Sequence, residues 1–300
     1  MSEEASKGSI KLNDGNTVPI IAYGTGTAWF GATGPNGISE QLVDSTQTAI
    51  SLGFIHLDAA RMYGNEKSVG EALIRSGVDR EKMFITSKIL KEVDNIEETL
   101  KKQLEDLRID KLDLYLIHSP SFDQGPDSSL SLETVWRTME DLRERGLTKS
   151  IGVSNFRIKD LERIKSVARI KPSVNQIEFH PYVWKEAEPL IRYMKREGIA
   201  LAAYGPQVPI VKATGGTLDP ILDELSKKYD LSTGQILLKW ARSHGSIVVT
   251  TSSKEDRLKS YLDCFRDGQV ELSLEDVELI DKVGAENGIK RIFMKHMSET

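Results

Sequence analysis

Three hundred residues with 39% apolar side chains are enough for a domain with a core of normal size, and this composition excludes a wholly disordered chain. Forty basic against 45 acidic residues leave a net charge of −5, which gives no electrostatic footprint for nucleic acid. No stretch approaches the roughly 18 uninterrupted apolar residues of a membrane span, and the single cysteine, Cys264, excludes an internal disulfide framework or a Cys-rich metal site.

In chain order, Met1 to Gly8 is polar and acidic, without the apolar core of a signal peptide. Together with the absence of any Asn-x-Ser/Thr sequon, this leads us to expect a cytoplasmic protein. Ser9-Ile-Lys-Leu12 and Thr17-Val-Pro-Ile20 flank the turn signal Asn13-Asp-Gly-Asn16 and predict a hairpin over residues 9–19. Eight β-rich runs follow. They are Ile20–Tyr23, Phe54–Leu57, Met83–Thr86, Leu112–Ile117, Ser150–Val153, Ser173–Ile177, Ile199–Ala203 and Ile247–Thr250. Helical patterns lie between them: Ile96, Leu100, Leu104 and Leu107 repeat at three and four, and Leu132–Leu142, Leu161–Ala168 and Ile236–Ala241 behave alike.

Such alternation allows a parallel α/β barrel or a doubly wound sheet. The doubly wound sheet wants Gly-x-Gly-x-x-Gly after its first strand, and Gly24-Thr-Gly-Thr-Ala-Trp29 has no third glycine. We therefore expect a single α/β domain over residues 1–300, a (β/α)8 TIM barrel. The hairpin would close its bottom, the barrel would run over about 20–265, and a C-terminal helix and tail would occupy about 266–300.

Active sites of such barrels form at the C-terminal ends of the strands. Those ends read Thr25, Asp58, Lys88, His118, Ser154-Asn155, Glu178, Tyr204 and Thr251-Ser252, with Tyr63 just beyond Asp58. Singly, Asp58 could cap a helix, Lys88 could be an exposed lysine, Tyr63 a packing tyrosine and His118 a backbone-bonded histidine. Gathered from three successive strands, Asp, Tyr, Lys and His are the setting for proton transfer to a carbonyl. His56 lies inside a strand and reads as a core histidine, Cys264 as packing, and His180 as a loop residue that reaches a ligand only indirectly. No His, Asp and Glu set has metal-ligand spacing, so no metal is expected.

These residues resemble the aldo-keto reductases over essentially the whole chain. Gly53-Phe-Ile-His-Leu-Asp-Ala-Ala60, followed by Glu66 and Val69-Gly70, matches the family's first signature, apart from Ile55 where arginine is usual. Ile151-Gly-Val-Ser-Asn-Phe156 matches the second, and Thr250-Thr-Ser-Ser-Lys254 with Arg257 corresponds to the third, with Thr250-Thr251 in place of the usual Pro-Lys. The Gly-Thr-Gly-Thr-x-Trp start looks like a fungal subgroup that reduces α-keto amides, conjugated polyketones and ketopantoyl lactone.

The resemblance implies an NADPH/NADP+-dependent reductase of a small-molecule carbonyl substrate, a monomer or small homo-oligomer. Tyr63 would protonate the carbonyl oxygen, Lys88 would lower the phenol's pKa, Asp58 would hold Lys88, and a neutral His118 would bond the substrate oxygen. For the cofactor it implies Gly24, Thr25, Thr27, Asp58, Ser154, Asn155, Gln176, Tyr204 stacked on the nicotinamide, and Gly205, Pro206 and Gln207. Ser252, Ser253 and Lys254 would meet its adenosine 2′-phosphate, Arg257 would stack on adenine or bond the same phosphate, and Thr251 is a further cofactor contact. Trp29, Tyr63, His118 and Ser119 would face substrate, with Ser119 giving a smaller, more polar wall and the short tail after Gly288 enclosing little. The competing readings are a nucleotide-binding regulatory subunit on the same scaffold, with slow or no turnover, and a Schiff-base lyase using Lys88.

Overall fold

The computed structural model describes residues 8–123, 125 and 130–298. A two-stranded antiparallel hairpin, β1 (Ser9–Lys11) and β2 (Thr17–Pro19), pairs Ile10 with Val18. Gly15, at φ 90°, makes the turn that needs a left-handed residue. Eight strands follow: β3 (Ile21–Gly24), β4 (His56–Asp58), β5 (Phe84–Ile89), β6 (Leu112–Ile117), β7 (Thr148–Ser154), β8 (Val174–Glu178), β9 (Ala200–Tyr204) and β10 (Ile247–Thr250). They pair in parallel and in sequence order, and β10 returns to β3 to close the barrel. The expected fold class is the one observed.

Parallel barrel strands are buried on both faces, and successive side chains alternate between the barrel interior and the surrounding helices. On β5, Ile85 and Ile89 join the outer core, whereas Phe84 joins an inner cluster with Leu114, Leu116, Val174, Ala202 and Ile247. Leu12 and Val18 of the hairpin complete that inner cluster, so the barrel bottom is plugged by apolar side chains. Above Phe84, at two-residue steps, come Thr86 and Lys88; above Leu114 and Leu116 comes His118; above Val174 come Gln176 and Glu178. The interior thus changes from apolar at the bottom to ionisable at the top, as expected from the strand ends.

His56 is the core histidine expected from its place within a strand. Its Nε2 lies 2.9 Å from Thr86 Oγ1, and burial pulls its pKa down to about 4. Cys264 is buried, with its thiol pushed up to about 12 by burial. Several strands start one or two residues later than their apolar runs, because pairing requires an opposed neighbour while burial does not. The helices around the barrel are α1 (Glu40–Leu52), α2 (Glu66–Ser76), α3 (Ile96–Leu107), α4 (Leu132–Glu144), α5 (Ile158–Val167) and α6 (Trp184–Glu197). After β9 come α7 (Val208–Val211), α8 (Leu218–Tyr229) and α9 (Thr233–Ser243), then α10 (Glu255–Asp263) and the C-terminal α11 (Leu274–Glu286). No helix among the described residues is long and apolar enough to cross a membrane.

Candidate active site

Asp58 and Lys88 are buried side by side at the ends of β4 and β5. Lys88 Nζ donates to Asp58 Oδ1 at 2.6 Å and to the Ala59 carbonyl at 2.9 Å. Two charges leave water at a large cost, which is offset only by close pairing and further hydrogen bonds. Those are present: Gln176 Nε2 donates to Asp58 Oδ2 at 2.8 Å from across the barrel. Burial still pulls the Lys88 ammonium below its ordinary value, with Asp58 opposing. So committed, Lys88 is poorly placed to attack a carbonyl as a free amine.

Tyr63 ends the short turn Arg61–Tyr63 after β4, and Lys88 Nζ donates to its hydroxyl at 3.4 Å. The His118 ring meets the phenol edge-on at 5.5 Å, and Phe30 approaches it at 6.1 Å. Gly26 makes this arrangement possible, since a Cβ there would lie 2.5 Å from Tyr63 Cζ. The Gly26 loop is pinned by Asn65, whose Nδ2 donates to the carbonyls of Thr25 (3.0 Å) and Trp29 (2.9 Å). Asn65 follows Tyr63 by two residues, but no spacing rule marks it as a loop anchor.

The charge states differ in part from expectation. Burial first, and then the Asp58 carboxylate, hold the Tyr63 phenol well above its ordinary value. The expected lowering by Lys88 is not met, because burial of the phenol dominates and the nearby Asp58 carboxylate adds to it. His118 is neutral at pH 7, its pKa pulled down to about 3 by burial and then by Lys88. Its Nδ1 is buried without a hydrogen-bond partner among the described residues.

A cavity of about 440 Å³ opens over Asp58, Tyr63 and His118. Gly24, Thr27, Asn155 and Gln176 line it, as do Tyr204, Gly205, Pro206, Gln207 and Thr251. Tyr204 donates its hydroxyl to Asn155 Oδ1 at 2.8 Å, while Asn155 Nδ2 donates to the His118 carbonyl (2.9 Å) and to Ser154 Oγ (3.0 Å). Asn155 sits at φ 60°, a left-handed conformation that asparagine tolerates and that often marks a functional site. Thr25 and Ser154 stand behind the wall: Thr25 bonds the Asp58 carbonyl through both N and Oγ1, and Ser154 Oγ donates to the Gln176 carbonyl at 2.8 Å.

Ser252, Ser253, Lys254 and Arg257 lie past Thr251 at the start of α10 and do not line the cavity. Ser252 Oγ accepts the Lys254 N–H at 3.0 Å, and Lys254 is the residue before the helix. Lys254 and Arg257 are exposed and have no ion pair among the described residues.

Two expected substrate contacts need correction. The Trp29 indole N–H donates to the Tyr23 hydroxyl at 2.8 Å and Trp29 does not line the cavity, whereas Phe30 does. Ser119 is buried and accepts the Ser121 N–H at the start of the turn Pro120–Phe122, so it gives the cavity no polar wall. The tail encloses more than expected, since Phe293 and Met294 line the cavity. Met62, Val208 and Lys212 also line it and had no motif to reveal them. Among the described residues no group of three or more His, Cys, Asp or Glu is placed to hold a metal ion.

Residues 21–208 match the model of the aldo/keto reductase family. The chain is 44% identical to the NAD/NADP-dependent indole-3-acetaldehyde reductase of Schizosaccharomyces pombe, an alignment covering 95% of this chain and 98% of that protein. It is 38% identical to the NADPH-dependent alpha-keto amide reductase of Saccharomyces cerevisiae, over 94% of this chain and 92% of the relative. Among solved structures, the Bombyx mori aldo-keto reductase in complex with NADP superposes with a TM-score of 0.82 at 34% identity, covering 97% of this chain and 96% of that one. On these grounds, with the closed barrel and its strand-end residues in hand, the chain belongs to the aldo/keto reductase family.

Proposed function

We propose that this protein is an NADP(H)-dependent carbonyl reductase in which Tyr63 gives the proton to the carbonyl oxygen. The observation that carries this reading is the convergence of the Tyr63 hydroxyl, the buried Lys88–Asp58 pair and a neutral His118 on one cavity. A phenol held protonated is suited to giving a proton, and the ammonium at 3.4 Å offsets the negative charge the phenol acquires on doing so. A neutral His118 keeps one ring N–H, which would bond the same oxygen and fix its approach.

The residues present fit a nicotinamide dinucleotide. Gln207 Nε2 is buried in the wall without a hydrogen-bond partner among the described residues, which is costly unless a polar ligand meets it. Tyr204, Asn155 and Gln176 would hold the nicotinamide end, Gln207 and Thr251 the chain between the rings, and Ser252, Ser253, Lys254 and Arg257 the phosphorylated adenosine. When bound, the cofactor supplies the hydride; this chain orients the carbonyl and delivers the proton.

We read the substrate as a neutral activated ketone or aldehyde, of the α-keto amide, conjugated polyketone or ketopantoyl lactone type. The rim supports this with exposed Phe30, Met62 and Val211, and with Phe293 and Met294 inside. The Saccharomyces relative supports it by its name.

Replacing Tyr63 by Phe tests the reading. Carbonyl reduction should fall by about a hundredfold or more while cofactor binding, followed by fluorescence titration, persists. Turnover near the parent level would refute Tyr63 as proton donor.

A further inference from the structure

Glu178 ends β8 in full burial, two residues beyond Gln176, and the proposed reaction makes no use of it. Its carboxylate is turned toward the C-terminal tail. Oε1 accepts the Ile292 N–H at 2.8 Å and His180 Nε2 at 3.0 Å, and Oε2 accepts the Phe293 N–H at 3.0 Å. The Arg291 guanidinium stands 3.8 Å away. These donors outweigh burial and hold the carboxyl below its ordinary value, so it is charged at neutral pH. Residues 289–294 have no helix or strand ladder, and a buried carboxylate takes the place of the missing partners for two of their N–H groups.

The clasp positions Phe293. Its ring meets Tyr204 edge-on at 5.6 Å, and Lys212 Nζ lies 5.2 Å from its centroid. Glu178 and Tyr204 are register partners on neighbouring strands, so the clasp and the wall it holds share one rigid foundation. Other bonds secure the tail further along: His296 Nε2 donates to the Asn155 carbonyl at 3.0 Å, and Ser298 Oγ to Glu186 at 2.8 Å. Loss of Glu178 therefore frees the segment that carries Phe293 without detaching the end of the tail.

We infer that Glu178 is a positioning residue for substrate selection: by clasping the Ile292 and Phe293 amides it sets the Phe293 wall against which the apolar part of a bulky carbonyl substrate packs. The inference rests on the carbonyl-reductase reading for its kinetic consequence, and on geometry alone for the clasp.

The test is a double-mutant cycle in the full chain with NADPH, using a bulky aryl diketone and a three-carbon ketoaldehyde. Glu178→Gln and Phe293→Ala should each lower the bulky-to-small ratio of kcat/KM by roughly tenfold, chiefly through KM for the bulky ketone. The double variant should be no worse than Phe293→Ala alone, because both changes remove one wall. Equal losses for the two substrates, or full additivity, would overturn the assignment. Trypsin cleavage after Lys290 or Arg291, followed by mass spectrometry, reads the clasp without catalysis. It should quicken in Glu178→Gln, and an unchanged rate would overturn the clasp. If Glu178→Gln does not fold, Ile292→Pro deletes one clasped N–H from the tail and carries the same expectations. A parent protein that reduces neither substrate would refute the proposed function, while the proteolysis would still decide the clasp.

Discussion

Tyr63 and His118 are each confined to one protonation state by burial, in opposite senses. The phenol is pushed well above its ordinary value and stays protonated, whereas the imidazole is pulled to about 3 and stays neutral. Since kcat/KM reports ionisations of the free enzyme, neither group should titrate between pH 5 and 9 in the reductive direction. Reduction should therefore be flat across that range, with no break at the ordinary histidine value of about 6.5. Alcohol oxidation needs the phenol deprotonated, so it should climb with pH over the same range. Paired pH profiles of kcat/KM in the two directions check this; a reductive limb breaking near 6.5 would show that His118 is charged in the working site. At this scale Asp58, Lys88 and His118 are legible in the sequence, because each ends a β-rich run at the catalytic rim, whereas Gln176 follows only from the family resemblance. Tyr63 follows from the motif. The reversed shift of its phenol is not legible, since it depends on how deeply the fold buries the ring and how near it brings the Asp58 carboxylate.

Among the elements, α10 bears on cofactor choice through its first turn. Lys254 precedes the helix and Arg257 follows one turn later, while Glu255 and Asp256 occupy the first turn itself. Those two carboxylates offset the partial positive charge of the helix N-terminus, which would otherwise attract a phosphate. Thr251 brings no charge where the resemblance expects lysine, so we propose that any preference for a 2′-phosphate rests on Lys254 and Arg257. A charge-assisted contact contributes about 1.5–3 kcal/mol, so Lys254→Ala or Arg257→Ala should weaken NADPH roughly ten- to a hundredfold and leave NADH nearly unchanged. Titration of both nucleotides against each variant measures it, and equal losses for the two would show that these side chains do not read the phosphate. The positions of α10 and α3 are legible from motif and periodicity. The cavity wall made by the tail is not, because Phe293 meets Tyr204 through contacts between distant segments, the Glu178 bonds among them, with no local pattern.

Across the whole molecule the barrel separates what holds it together from what it does. The alternation of strands and helical patterns, with a hairpin ahead of them, is enough to reach a closed barrel with a plugged bottom, because eight strands buried on both faces have few other ways to close. The sequence does not reveal which hairpin side chains enter the plug, since β1 and β2 are three residues each and their alternation is too short to fix a face. The structure puts Val18 there, fully buried against the bottom layer with Leu12, Phe84, Leu114 and Ile247. Between this layer and Lys88 lies the level of Thr86 and His56, whose mutual hydrogen bond ties adjacent strands rather than either end. Val18→Ala removes two methyl-equivalents from a close-packed site and should cost about 2 kcal/mol in chemical denaturation. The same variant should keep kcat/KM within about twofold at temperatures well below unfolding, because barrel chemistry sits at the opposite rim. Stability and activity measured on one preparation decide it. A loss of kcat/KM that tracks the loss of stability would mean that the plug sets the geometry at the top, and that Asp58, Lys88 and His118 depend on the hairpin as well as on their strands.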